Sequence, residues 1–405
     1  MSKLEKLIQQ YCPDGVEYVP LSSIGTIKRG NGLQKKDFVK TGIGCIHYGQ
    51  IYTKFGLFTD KTFTYVDKNL ADHLLHIEKG DLVIACTSEN IEDVCKAVAW
   101  LGDDSIVTGG HSCVLHHNQN PKYIAYFFQT ESFQRQKRKY AYGTKVIDIK
   151  PDSIGKIEIP VPPLPVQEEI VRVLDAFTEL QAELQAELQK RKQQYNFYRD
   201  NLLNFKDINR GGQEIKWMKL KEIGKVCMCK RILKEQTASF GDVPFFKIGT
   251  FGGVADAYIS QELFDSYKSK FSYPQKGDIL ISAAGTIGRT VAFDGKPAYF
   301  QDSNIVWLKH DESIVLNSYL RYCYTQNPWA ISTGGTIARL YNDNILNATI
   351  PVPPIAEQQK IVSILDRFDA LTNDLTSGLP AEIEKRRQQY EFYRDKLLTF
   401  KRKEA

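Results

Sequence analysis

Gln193-Gln-Tyr-Asn-Phe-Tyr-Arg-Asp-Asn-Leu-Leu-Asn-Phe-Lys206 returns near the other end of the chain as Gln388-Gln-Tyr-Glu-Phe-Tyr-Arg-Asp-Lys-Leu-Leu-Thr-Phe-Lys401, with eleven of fourteen positions identical. A match of that length marks a duplication. Ile159-Pro-Val-Pro-Pro163 likewise returns as Ile350-Pro-Val-Pro-Pro354. Behind it, Gln167, Ile170, Val171, Leu174, Asp175 and Phe177 are echoed by Gln358, Ile361, Val362, Leu365, Asp366 and Phe368. Fainter echoes precede these blocks: Gly80-Asp-Leu-Val-Ile84 and Gly277-Asp-Ile-Leu-Ile281, Tyr123-Ile124 with Tyr126 and Tyr319-Leu320 with Tyr322, Gly143-Thr144 and Gly335-Thr336. Leu4 to Ile24-Gly25 matches Leu202 to Ile223-Gly224, so the N-terminus reads as the tail of a helix. The chain is two copies of one unit, a globular segment followed by a long helix, closed into a cycle.

Pro162 and Pro163, like Pro353 and Pro354, stop a strand and hold the chain extended. Pro165 suits the first turn of a helix, with Glu168 and Glu169 near its positive end. Ile170, Leu174, Phe177, Leu180, Leu184, Leu188, Tyr195, Tyr198, Leu202 and Phe205 then recur at helical spacing. They predict one apolar stripe on a helix of roughly 40 residues, about 60 Å long. The second copy carries Ile361, Leu365, Phe368, Tyr390 and Leu397, but Ser377-Gly-Leu-Pro380 must break or kink it. Phe368 to Gln388 is four residues longer than Phe177 to Gln193. A single stripe of this length needs a partner face. A homo-oligomeric coiled coil is the plain alternative; two matching helices in one chain favour antiparallel pairing within it, with pseudo-twofold symmetry. The expected class is therefore α+β, with two mixed α/β domains joined by an antiparallel intramolecular coiled coil. The expected segments are 1–158 (with a short helix at 2–10), 159–207, 208–349 and 350–405.

The first helix contains Thr178-Glu-Leu-Gln, Ala182-Glu-Leu-Gln and Ala186-Glu-Leu-Gln189. These are good helix formers, which is explanation enough for low complexity. They also make a length adjuster, since four residues add about 6 Å and about 40° of rotation.

With 405 residues, 42% hydrophobic and 25% charged, the composition is that of a folded protein rather than a disordered one. No apolar run reaches the roughly 18 residues that span a membrane. A net charge of +5 is too small to establish a nucleic-acid partner by itself; the placement of the basic residues matters more. The eight cysteines include no CxxC, and Cys227 and Cys229 stand far from any further pair. No metal site is expected, and free thiols in a reducing cytoplasm are.

Asn120-Pro121 opens an aromatic helix running into Arg135, Lys137, Arg138 and Lys139, then Tyr140, Tyr142, Gly143, Thr144 and Lys145. Cations interleaved with tyrosines in a glycine-containing loop suit phosphate and base-edge contacts; a solvated helix end is the plain reading. Lys28, Arg29, Lys35 and Lys36 form a second cluster, with Lys230, Arg231 and Lys234 as its counterpart. Gly334-Gly335-Thr336 with Arg339 matches the Gly143-Thr144 loop. Thr286 and Arg289 lie in Gly285-Thr-Ile-Gly-Arg289, a turn between two strand-like runs; without a following GK[ST] it is no nucleotide-binding loop.

Catalytic signatures are missing. Asn327-Pro328-Trp329 lacks the second proline of an adenine methyltransferase motif, and no donor-binding loop precedes it. Pro151-Asp152 is followed only by Glu158 where a metal nuclease wants clustered carboxylates and a lysine. Adjacent His116 and His117 point to opposite faces of a strand and read as incidental.

The doubled Ile-Pro-x-Pro-Pro junction, the Gln-x-x-Ile-Val-x-x-Leu-Asp-x-Phe helix and the Gln-Tyr-x-Phe-Tyr-Arg-Asp block closely resemble the specificity subunit of type I restriction-modification systems. The tetrapeptide run resembles the branch with such repeats in the first long helix. The resemblance implies two target-recognition domains, each reading half of a bipartite asymmetric site in double-stranded DNA, and a helix pair setting the gap. It implies a non-catalytic subunit, with two modification subunits carrying adenine methyltransferase activity and S-adenosylmethionine, and restriction subunits using ATP and magnesium. Arg172, Arg191 and Lys192 then serve subunit contacts or form a solvated face. A stand-alone DNA methyltransferase or endonuclease is the alternative.

Overall fold

Two prolines in succession leave a strand with carbonyls to satisfy and no N–H groups to offer, and the fold is organised around that deficit. The computed structural model describes residues 2–205, 215–330, 339–374 and 376–404. In the first copy, strand Glu158–Pro160 pairs antiparallel with Tyr18–Pro20, and the chain passes through Pro162 and Pro163 into the 40-residue helix Leu164–Leu203. Gln167 is fully buried just inside that helix. Its Nε2 donates to the Pro162 carbonyl (2.7 Å) and to Gln119 Oε1 (2.8 Å), and its Oε1 accepts from the Asn120 N–H (3.0 Å). Tyr123 donates its hydroxyl to the Pro160 carbonyl at 2.9 Å.

The second copy repeats this arrangement. Strand Thr349–Val352 pairs with Lys216–Lys219 and leads into helix Ile355–Asn373. Gln358 Nε2 donates to the carbonyls of Pro353 (2.8 Å) and Ile314 (2.9 Å), and its Oε1 accepts from the Leu316 N–H (2.9 Å). Tyr319 donates to the Pro351 carbonyl at 3.0 Å. One turn on, Tyr126 donates to Asp175 (2.7 Å) and Tyr322 to Asp366 (2.5 Å). Asn120 caps its helix as its sequence predicts, accepting from the N–H groups of Lys122 and Tyr123.

The chain divides into two compact units, Met1–Gln185 with Glu382–Ala405, and Ala186–Ala381. The first contains a five-stranded sheet in the order Gly25–Arg29, Ser112–His117, Leu82–Ala85, Ala97–Trp100, Phe58–Thr59. The second contains Gly224–Met228, Ile305–His310, Ile279–Ser282, Thr290–Ala292 in the matching order. A smaller sheet accompanies each, centred on Ile43–Ile46 beside Ile106–Thr108 and on Val243–Phe246 beside Tyr299–Phe300.

Each unit pairs part of the first long helix with part of the second. In the first, Phe177 stacks on Tyr393 (5.6 Å, 24°). Gln181 shares a cleft with Arg387 and Tyr390, so numbers rise on one helix as they fall on the other, the antiparallel sense. In the second, Tyr198 stacks on Phe368 (5.4 Å, 26°). Phe177 and Phe368 are repeat equivalents, as are Tyr198 and Tyr393, so the two stacks are one contact made twice. Leu180, Leu184 and Leu188 are half-buried along the stripe. Ile170 and Leu174 are instead sunk in the core of the first unit, and Ile361 and Leu365 in that of the second. The reason is that each helix start is anchored to its sheet domain by the buried glutamine. Tyr390, buried, meets Tyr126 and Gln129 of the globular part, and Leu397, like the N-terminal residues Leu7 and Ile8, packs against the core of the first unit. Tyr195 and Leu202 lie at the edge of the second core.

The second helix breaks where Ser377-Gly378 requires. Helix Ile355–Asn373 ends, Asp374 accepts from the Thr376 N–H (2.7 Å), the Thr376 hydroxyl (2.6 Å) and the Ser377 hydroxyl (2.5 Å), and Leu379–Leu397 begins. These bonds hold the Asp374 carboxyl at about 2. A Cβ on Gly378 would sit 2.4 Å from the Ala370 carbonyl oxygen, so only glycine fits.

The cycle closes within the first unit. Ser2 caps helix Lys3–Tyr11, Val16 donates to the Lys401 carbonyl (2.9 Å), and Tyr18 donates to that of Phe400 (3.0 Å). Lys3 reaches Glu169 at 2.7 Å, which with Arg172 lowers that carboxyl to about 2, the Arg172 bond being the larger cause. One cysteine expectation is corrected: Cys86, just past strand Leu82–Ala85, lies beside Cys113 on the neighbouring strand Ser112–His117, Cα–Cα 6.3 Å, and the two form a disulfide, while the other six cysteines are buried and free. His116, which reads as incidental, bonds Asp81, and burial lowers the neighbouring His117 to about 4. Among the described residues no helix is long and apolar enough to cross a membrane.

Replacing Gln358 by alanine strands the buried Pro353 carbonyl and takes their partner from the Ile314 carbonyl and the Leu316 N–H. We expect a loss of about 3 kcal/mol in the unit containing it, read by denaturant unfolding; a loss under about 1 kcal/mol contradicts the role given to this side chain.

Candidate nucleic-acid interface

Strand pairing brings two of the basic clusters together. Lys28 and Arg29 are exposed on edge strand Gly25–Arg29, and the segment Tyr140–Lys145 loops back so that Asp148 pairs with Thr87. Arg29 then forks onto the Asp148 carboxylate (3.1 and 2.6 Å), and Tyr142 donates its hydroxyl to the same Oδ1 at 3.0 Å. These bonds raise the Arg29 guanidinium above its ordinary value, and the bond to Asp148 raises the Tyr142 hydroxyl. Lys150 lies 5.9 Å from the centre of the Tyr142 ring. Asp148 escapes a sequence reading that seeks only cations; its signal is the facing Arg29, visible only once the register is known.

Lys35 and Lys36 are exposed on a 3-10 turn, Lys35–Asp37, and Thr144 and Lys145 are exposed in the loop. Arg135 and Lys139 are exposed at the end of helix Glu131–Arg138. Arg138 comes within 3.9 Å of Glu92 and opens onto the cleft shared with Gln181 and Arg387, while Tyr140 packs against the core. Lys137 is a correction. It faces inward, fully buried, with Nζ donating to the carbonyls of Glu92 and Val94 (2.9 Å each). Helical spacing puts it on the apolar face with Phe133, so this lysine braces a loop and cannot reach a phosphate.

In the second unit, Lys230 and Arg231 are exposed beyond strand Gly224–Met228, and Lys234 opens the turn Lys234–Gln236, the counterpart of Lys35–Asp37. Lys230 sits 5.3 Å over the Phe271 ring. Thr286 is exposed between strands Ile279–Ser282 and Thr290–Ala292, and Arg289 donates to the Phe251 carbonyl at 3.0 Å, which makes it a brace for that turn. Arg339 donates to the Ser303 carbonyl at 3.1 Å. Thr336 and its glycines lie outside the described residues. Among the described residues no three His, Cys, Asp or Glu side chains converge as a metal site would need.

A family model described as "Type I restriction modification DNA specificity domain" matches residues 13–191 and again 213–385. A putative type I restriction enzyme specificity subunit of Haemophilus influenzae is 57% identical over 255 residues, 61% of this chain and 65% of that one. The match thus spans a little under two thirds of that relative. A type I restriction enzyme specificity subunit of Escherichia coli is 31% identical over 436 residues, covering 100% of this chain and 98% of that one. Among solved structures, the S subunit of a type I restriction-modification system from M. genitalium superposes with a TM-score of 0.54 at 15% identity, covering 95% and 96% of the two chains. A chain from a study of complex assembly in a type I system superposes with a TM-score of 0.61 at 17% identity, covering 96% and 98%. At those identities the likeness is one of fold.

Burial lowers folded Lys137 from 10.5 to about 8. Between about pH 8 and about pH 10.5 the unfolded chain therefore binds more protons, and this group makes the protein more stable as pH rises through that window. We expect Lys137→Met to remove that rise, measured as the pH dependence of the urea midpoint; an unchanged slope contradicts the buried placement.

Proposed function

The chain belongs to the type I restriction-modification DNA specificity family, and from that premise we propose how it reads DNA. Each unit reads one half of a bipartite, asymmetric site in double-stranded DNA, and the helix pair sets the length of the gap. The observation that carries this reading is the exact-frame duplication: the same glutamine lock, the same tyrosine–aspartate bonds and the same strand order, with different residues on the exposed loops. A repeated frame with unlike loops suits a split target with unlike halves. In unit one the exposed Lys28, Arg29, Lys35, Lys36, Thr144 and Lys145 supply phosphate and base contacts, as do Lys230, Arg231, Lys234 and Thr286 in unit two.

The chain is a recognition subunit with no chemistry of its own. It assembles in the cytoplasm with two modification subunits, which carry the adenine methyltransferase and its S-adenosylmethionine, and with restriction subunits that use ATP and magnesium. The paired helix contacts, made once in each unit, support two equivalent partners.

Co-expression with the modification subunit and genome-wide methylation mapping tests this: a split motif with unlike halves is expected, whereas a contiguous motif, or methyl transfer by the isolated chain, contradicts it. Deleting Ala182–Gln185 removes about 40° of helix rotation, close to the roughly 35° of one base pair, along with about 6 Å of length. The gap is expected to shorten by about one base pair with both half-sites kept; an unchanged gap rejects the spacing role.

A further inference from the structure

The duplicated frame locates one position in each unit where the backbone hydrogen bonds are the same and the side chain is not. In the first unit, Cys113 pairs with Arg29, and His111 stands two residues before it. The His111 carbonyl accepts from the Cys86 N–H (2.8 Å), and the Cys86 carbonyl from the Ile149 N–H (3.0 Å). In the second unit, Val306 pairs with Met228, and Asn304 stands two residues before it. The Asn304 carbonyl accepts from the Ala283 N–H (2.7 Å), and the Ala283 carbonyl from the Leu340 N–H (2.9 Å). His111 and Asn304 therefore occupy one place in the frame. So do their neighbours Asp148 and Arg339, each just before the residue that closes this pair of bonds.

Both places are turns at the head of the strand next to the sheet edge, Ser112–His117 and Ile305–His310, and each turn contains a non-glycine residue with left-handed backbone, His111 itself at φ 69° and Ser303, the residue before Asn304, at φ 53°. His111 is exposed and Asn304 half-exposed. Among the described residues neither side chain is held by a hydrogen bond from the protein. The His111 ring is nonetheless fixed in place: it lies 5.0 Å from Tyr48, which lies 4.6 Å from His47, which meets Phe38 at 5.7 Å. His47 is buried and accepts from the Gly49 N–H at the start of helix Tyr48–Thr53. The exposed Lys35 and Lys36 precede Phe38 by two or three residues.

Neither side chain carries the fixed cation that dominates phosphate contacts, and the two differ between the units, as residues that read sequence rather than backbone would. Imidazole and carboxamide can each present a donor and an acceptor side by side, the chemistry of base edges; a carboxamide matches N6 and N7 of adenine in the major groove. We propose that His111 and Asn304 are specificity-determining residues, each reading one base edge in its own half-site. The assignment rests on the split-site reading given above.

The test is methylation mapping of the complete complex with the modification subunit, for the native chain and for His111→Ala, Asn304→Ala, His111→Asn and Asn304→His. Each alanine variant is expected to relax discrimination at one position of one half-site by about tenfold or more, the two variants affecting different halves and neither altering the gap. The exchanges, which keep a polar side chain in the turn, are expected to change the preferred base at that same position and serve if an alanine variant does not assemble. An unchanged motif in the variants that assemble, a uniform weakening at every position, or one half-site altered by both residues overturns the assignment. A native chain that yields no split motif sinks the underlying reading, and the assignment with it.

Discussion

The structure depends on how a proline-rich junction satisfies its carbonyls. A strand that ends in two prolines enters a helix with acceptors facing the core and no nearby backbone donors, and buried acceptors without partners are costly. Gln167 and Gln358 supply the donors for Pro162 and Pro353, and each spends its own oxygen on a backbone N–H of the adjoining domain. Tyr123 and Tyr319 do the same for Pro160 and Pro351. One buried amide thus fixes the exit of the strand, the start of the long helix and the loop before the aromatic helix. The direction in which each long helix leaves its domain follows from that lock.

Once the helix start is fixed, its apolar stripe is divided between two tasks. The first three turns serve the domain core, where Ile170, Leu174, Ile361 and Leu365 are buried. Beyond them the stripe meets the other helix, through Phe177 on Tyr393 and Tyr198 on Phe368. Aromatic stacks tolerate a modest exposure that aliphatic contacts do not, which suits a seam whose leucines are only half covered. The second helix reaches its partner despite a break because Asp374 organises the turn, and Gly378 admits the close approach of the Ala370 carbonyl.

A frame held this firmly leaves the loops free to differ. Asp148 and Arg339 have opposite charge at one place in the frame; the first collects Arg29 and Tyr142, the second holds the Ser303 turn. His111 and Asn304 likewise share one place in the frame while their side chains differ. The backbone bonds that position them involve only N–H and carbonyl groups, so side chains can change there without loss of the scaffold.

The sequence by itself determined the duplication, the two junctions, the unbroken first helix and the break in the second, because prolines, glycine and helical spacing act through the local backbone. It also placed most of the exposed cations, since short polar turns stay at the surface. It could not determine what those cations face. Lys137 counts as one more basic residue in a run of four until the fold shows it buried against two carbonyls. Asp148 and His111 gain their meaning from strands far apart in sequence, and the bond between Cys86 and Cys113 from two strands that happen to be neighbours. Register and burial are properties of the assembled sheets, and only the tertiary structure decides them.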